Sequence, residues 1–283
     1  MSMKTILVPT ESSGTMRSTL STALLLARRF DSYIEGFALR FRVNEFVAVD
    51  MAGAIPLETL REESLEEARR ACMLFESFMK DNGVPRAEGA ERPAALSFGW
   101  LNEAPEGEAF VGSHGRAFDA IVIGRSDAGA VGLHDKAIEA GLFESGRPVV
   151  IAPPVAPARI ATNVMVHWNC STEQARTTAF AMPLLHQAER VTVLDVEGGA
   201  AVPGPSAAQL VSCLKRNGIV TALMTVGLEG RSTGEAILAA AQAIGCDLLV
   251  KGAYTQSRLR QMIFGGATRH ILANAGLPVL MAN

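Results

Sequence analysis

Lys4-Thr5-Ile6-Leu7-Val8-Pro9-Thr10-Glu11-Ser12-Ser13 passes from a charged residue through an apolar run into a polar cluster. Apolar residues at helical spacing follow at Leu20, Leu24 and Ala27. A short apolar run, then hydroxyl residues, then a 3.6-residue period reads as strand, helix cap and helix. The same plan returns as Val164-Met165-Val166-His167-Trp168, then Asn169-Cys170-Ser171-Thr172-Glu173, then Ala175, Ala179 and Met182.

The ends of the two halves match as well. Asp119-Ala120-Ile121-Val122-Ile123-Gly124 parallels Asp247-Leu248-Leu249-Val250-Lys251-Gly252, and each leads on to a strand, Pro148-Val149-Val150-Ile151 or Pro278-Val279-Leu280-Met281. The repeat is about 140 residues long, the size of a domain and far longer than a solenoid unit. Three prolines between Pro153 and Pro157 make a stiff connector. The expected division is a first domain over 1–152, a linker over 153–160 and a second domain over 161–283.

Within each copy strand and helix patterns alternate. The first copy reads as strands at 33–41 and 94–100, a long Glu- and Arg-rich helix at 57–82, and a weak helix at 105–118. The second reads as strands at 191–196 and 220–226 with helices at 206–217 and 233–244. Strand runs that are apolar throughout imply burial on both faces and a parallel sheet. The fold class is therefore α/β: two tandem doubly wound, Rossmann-like domains with parallel sheets. Ligands in such sheets sit beyond the carboxyl ends of the strands, where strand order reverses.

Composition narrows the function. The net charge is −3 and the chain has no basic surplus, which argues against nucleic acid as a partner. No apolar run approaches the roughly 18 residues that span a bilayer, and the start of the chain does not read as a signal peptide. The four cysteines, Cys72, Cys170, Cys213 and Cys246, are dispersed and suit a reducing cytoplasm better than a disulfide or zinc site.

The carboxyl end of the second copy's fourth strand is the candidate site. Gly252 permits a sharp turn, Gly265-Gly266 removes side chains where a helix begins, and Thr268 adds a hydroxyl in its first turn. Arg258, Arg260, Arg269 and His270 add positive charge nearby. Two readings fit: a phosphate cradle at a helix N-terminus, or a glycine-permitted loop with solvated arginines. Neither the Walker Lys-Ser/Thr element nor a Gly-x-Gly-x-x-Gly motif is present.

On these motifs the chain resembles a tandem universal stress protein. The opening Ile-Leu-Val-Pro-Thr-acid-x-Ser, the Asp-Leu-Leu-Val-x-Gly strand and the closing Leu-Pro-Val-Leu strand are similar to that family's pattern. The resemblance implies an adenine-nucleotide alpha hydrolase-like fold and a site for ATP or AMP, with or without Mg. The family's motif of Gly, two residues, Gly, nine residues, Gly and Ser/Thr falls on Gly252, Thr255, Gly265 and Gly266, so two of its four positions are altered. Ala267 and Thr268 continue its last turn. The acid that contacts ribose or adenine is replaced by Asn169. Val196 stands where an apolar wall for the base is expected, and Trp168 would stack on adenine or fill the pocket. His167 is either a ligand neighbour or a packing histidine.

The first copy keeps the acid, Glu11, but Asp127 and Asp135 fall where phosphates would sit, and it is not expected to bind ATP. Its role is that of a built-in partner, an intramolecular pseudo-dimer through the final strands with room for a further homodimer. Catalysis has little support. Ser12-Ser13 and Ser171-Thr172 read as helix caps, Glu62-Glu63 and Glu66-Glu67 as a solvated face paired with Arg61, Arg69 and Arg70, and no triad or carboxylate pair emerges. Slow ATP hydrolysis is the most that an open phosphate site would allow. The apolar stretch 46–56 reads as packing within the fold, as a flap over a neighbouring surface or as a partner site. The rival to the nucleotide reading is a nucleotide-free interaction protein; a small-ligand hydrolase or transferase is the weakest of the three.

Overall fold

The computed structural model describes residues 3–40, 57–87, 95–125, 133–253 and 266–283. It divides into two compact units, 3–147 and 148–283. The apolar stretch 46–56 lies outside the described residues, as do Thr255, Gly265, Arg258, Arg260 and Asp127.

The first unit contains β1 (Thr5–Thr10), α1 (Met16–Phe30), β2 (Tyr33–Ala38), α2 (Leu57–Asp81), β3 (Ser97–Leu101), α3 (Ala109–Gly115), β4 (Ala120–Gly124) and α4 (Leu133–Glu144). Its strands run parallel in the order β3-β2-β1-β4. Ile6, Leu7, Ile34, Ile121 and Phe37 are fully buried, because a parallel sheet covered by helices has no wet face. α3 is shorter than the expected helix at 105–118, since Gly107 takes a left-handed φ of 97° ahead of it.

The second unit contains β5 (Val149–Ala152), β6 (Asn163–His167), α5 (Thr172–Leu185), β7 (Arg190–Glu197), α6 (Ala207–Arg216), β8 (Thr221–Gly227), α7 (Thr233–Ala243), β9 (Leu248–Val250), α8 (Gly266–Asn274) and β10 (Val279–Met281). The order is β5-β10-β9-β6-β7-β8. All pairs are parallel except β5 with β10, where Val149 faces Met281 and Ile151 faces Val279 in antiparallel register. The units therefore part at Arg147/Pro148, ahead of the proline-rich stretch 153–160, because backbone hydrogen bonds hold β5 to β10.

The repeated aspartates do the same work twice. Asp119 accepts hydrogen bonds from the backbone N–H of Lys4 (2.7 Å) and Thr5 (3.0 Å). Asp247 accepts them from Thr162 (2.8 Å) and Asn163 (2.9 Å). Each carboxylate ties the start of the central strand to the start of its neighbour and sets their register. The caps divide unequally. Ser171 caps α5 by accepting from Gln174 N, as its sequence suggests, and Ser206 and Ser232 form full capping boxes on α6 and α7. Ser12 and Ser13 do not cap α1: that helix starts at Met16 with Thr15 at its N-cap and no side-chain cap bond. No helix among the described residues is long and apolar enough to cross a membrane.

Candidate functional site

Strand order in the second unit reverses at β6, which has β7 on one side and β9 on the other. The crevice between the ends of β6 and β9 is thus the natural ligand position. Val166 pairs with Val250, so His167, the last residue of β6, and Lys251, the first beyond β9, follow side by side.

Both are buried, His167 at 3% exposure and Lys251 at 5%. The Lys251 ammonium donates to the carbonyl of Gly252 (2.9 Å) and to the hydroxyl of Thr268 (3.0 Å) in the first turn of α8. Neither partner is charged. Burial lowers the Lys251 pKa to about 8. Burial, and then the neighbouring Lys251 charge, push His167 down to about 3, so its ring stays neutral. Among the described residues the buried Nδ1 of His167 has no hydrogen-bond partner, which sets it apart from an ordinary satisfied packing histidine.

Lys251 is the residue that sequence reasoning passed over. It occupies the unspecified slot of the strand motif, where the first unit has Ile123. A lysine closing an otherwise apolar strand was the available signal.

The remaining expected residues divide into three sets. Gly266, Ala267 and Thr268 form the first turn of α8; Gly266 is exposed, with open space where a Cβ would stand, and Thr268 is buried against Lys251. Gly252 is essential in a different way from that expected. A Cβ there would come within 2.5 Å of Gln174 N and 2.8 Å of the Glu173 carbonyl carbon, so only glycine lets the strand end lie against the start of α5. Its N–H donates to Gln174 Oε1 at 2.6 Å and is therefore engaged inside the protein.

Trp168, Asn169 and Val196 make up the third set. Trp168 is 7% exposed, its indole N–H donates to Pro205 O (2.7 Å), and its backbone N–H donates to Leu194 O (2.9 Å). It fills space and is anchored there. Asn169 Oδ1 accepts from Ser171 N at 3.2 Å, a local turn that sets up the cap of α5. Val196 is buried on β7, and its carbonyl accepts from Gly199 N.

This arrangement, an open first turn of α8 above a buried ammonium at the switch point of a parallel sheet, can be set beside known proteins. Residues 171–283 match the universal stress protein family. The matched universal-stress segment includes Val196, Gly252 and Gly266 to Thr268; His167, Trp168 and Asn169 lie just ahead of it. A universal stress protein from Archaeoglobus fulgidus DSM 4304 is 15% identical, with 100% of this chain and 99% of that one covered and a TM-score of 0.71. A functionally unknown protein from Pseudomonas aeruginosa PAO1 is 14% identical, with coverages of 99% and 92% and a TM-score of 0.51. At such identities the likeness is one of fold, a mixed α/β architecture with a mostly parallel sheet over the whole chain. No curated protein matches the chain.

Proposed function

We propose that the chain is a cytoplasmic universal-stress-type regulatory protein whose second unit holds an adenine nucleotide, ATP or AMP, with its phosphates at the first turn of α8. The observation behind this reading is Lys251. A buried ammonium hydrogen-bonded to neutral oxygens costs stability, and an anion at the adjacent helix N-terminus would supply the counter-charge. Gly266 and Ala267 offer amides with little side chain in the way, and Thr268 offers its hydroxyl. The base would lie toward Val196 beside Trp168, with Asn169 as an uncharged acceptor. Magnesium would arrive with a triphosphate, since among the described residues no group of three His, Cys, Asp or Glu side chains is arranged for a metal ion.

The role is binding. His167 is neutral at physiological pH and Lys251 is hydrogen-bonded, so neither is poised as a proton donor to a leaving group. Titration calorimetry with ATP and AMP tests the reading. Saturable binding is expected, weakened at least about tenfold by Lys251→Met, while circular dichroism stays unchanged. No heat of binding at millimolar ATP would overturn it.

A second reading, a nucleotide-free interaction protein, draws on two observations: the Gly252 amide is spent on Gln174 and Trp168 is fastened to Pro205. The same titration separates the two readings.

A further inference from the structure

The outer strand of the second unit is β8, and among the described residues β7 is its one pairing strand. The first unit treats its outer strand differently. Residues 85–87 lie along the outer side of β3, where Phe98 N donates to Pro85 O (3.0 Å) and Phe98 O accepts from Ala87 N (2.8 Å). Part of β3 is thus closed, while β8 has no such cover among the described residues.

An open strand edge offers its N–H and C=O groups to any extended chain, and proteins usually guard it with charge, proline or a bulge. From Ile219 to Leu228 there is neither a charged residue nor a proline. The register with β7 runs unbroken from Thr221 to Gly227, so no bulge turns the strand aside. Val220 is 86% exposed and Leu223 46%, and Ala222 and Thr225 are exposed beside them. Such a strand is suited to strand addition.

The charges around β8 point to its occupant. Lys215 and Arg216 in the last turn of α6, and Arg190 at the start of β7, stand at the end where β8 begins. Glu197, which closes β7, and Glu229 stand where β8 finishes. All five are exposed. Glu189 beside Arg190, and Arg231 paired with Glu229 at 2.8 Å, reduce the contrast and leave its sign unchanged. A second copy of the same strand, laid antiparallel, brings the basic end of each copy to the acidic end of the other. Within the strand no like charges would meet.

We propose that two copies of the chain associate through β8, paired antiparallel about a two-fold axis. Full overlap of its seven residues sets Met224 beside its own copy and Leu223 opposite Thr225. Just beyond the strand, Val220 falls opposite Leu228. The chain already makes one antiparallel pair from two uncharged strands, β5 with β10. This surface is separate from the nucleotide reading of the second unit, and either stands if the other fails.

Sedimentation velocity and amide hydrogen exchange on the full chain test the pairing. A dimer is expected at about 50 μM, with protection within 220–228 rising as protein concentration rises. Leu223→Lys together with Thr225→Lys changes two exposed positions and sets lysine against lysine. It should weaken the dimer at least about tenfold, with circular dichroism unchanged. A monomer at about 100 μM overturns the proposal, as does a dimer indifferent to the two lysines. Concentration-dependent protection confined to residues outside 220–228 overturns it as well, and that measurement on the wild type needs no variant to fold.

Discussion

Near the carboxyl ends of its central strands the first unit has Pro9 and Ile123, and the second has His167 and Lys251 at the matching positions. The backbones correspond: Ile6 faces Ala120 in one and Val164 faces Leu248 in the other, and the same aspartate clamp precedes each fourth strand. One fold thus tolerates either an apolar switch point or a basic one. Around them the balance reverses again, because the first unit keeps the carboxyl of Glu11 beside an open hollow, whereas the second has Asn169 and a Trp168 packed in place. Two copies of one architecture thus carry different charges near the carboxyl ends of their central strands, Glu11 in the first and Lys251 in the second.

The sharpest way to break this comparison is to swap the switch-point residues. Ile123 is 1% exposed. Ile123→Lys should therefore cost about 3–5 kcal/mol, the effect of an uncompensated buried charge, read from urea unfolding. A cost below about 1 kcal/mol would show that the position itself, and no special accommodation in the second unit, admits an ammonium.

Next in size is a pH effect. The folded state keeps His167 neutral down to about pH 3, while the unfolded chain takes up the proton near its ordinary value of 6.5. The folded state therefore binds fewer protons in that window, and stability falls as pH drops through it, by up to about 1.4 kcal/mol for each unit. Lys251 acts in the same sense at higher pH, with stability falling from about 10.5 to about 8. The difference in unfolding free energy between the wild type and His167→Leu, followed from about pH 7 to pH 4, should grow toward acid. A flat difference contradicts the burial argument.

Gly252→Ala should cost about 1–3 kcal/mol by forcing a Cβ into the α5 backbone, with Tm as the readout. Smallest is Lys251→Met, which should raise stability by on the order of 1 kcal/mol at neutral pH by removing a buried charge, even as it weakens ATP binding. A variant both less stable and unchanged in affinity would show that the ammonium serves packing alone.

Much of the architecture is legible along the chain because it is written locally. The apolar runs before Pro9 and His167, the repeated Asp119 and Asp247, and the Ser171 cap each announce an element within a few residues. The contents of the sites are less legible, because they depend on residues far apart in sequence. Lys251 is buried only because β6, β9 and α8 converge on it, and nothing adjacent to it says so. The Gly252 amide is claimed by Gln174, 78 positions away. Glu63 and Glu67 line the cavity of the first unit while staying exposed, and nothing in their spacing tells that β1 and β2 end beneath them.

The antiparallel pairing of β5 with β10 has a practical consequence for anyone dividing the chain. By sequence β5 closes the first repeat, yet it forms an antiparallel ladder with the last strand of the second. A fragment beginning at Pro148 retains that ladder. One beginning at Arg159 sheds it and leaves the backbone edge of Val279 to Met281 bare, an invitation to self-association. The proline-rich stretch marks where the peptide is easiest to cut, and it is one strand too late.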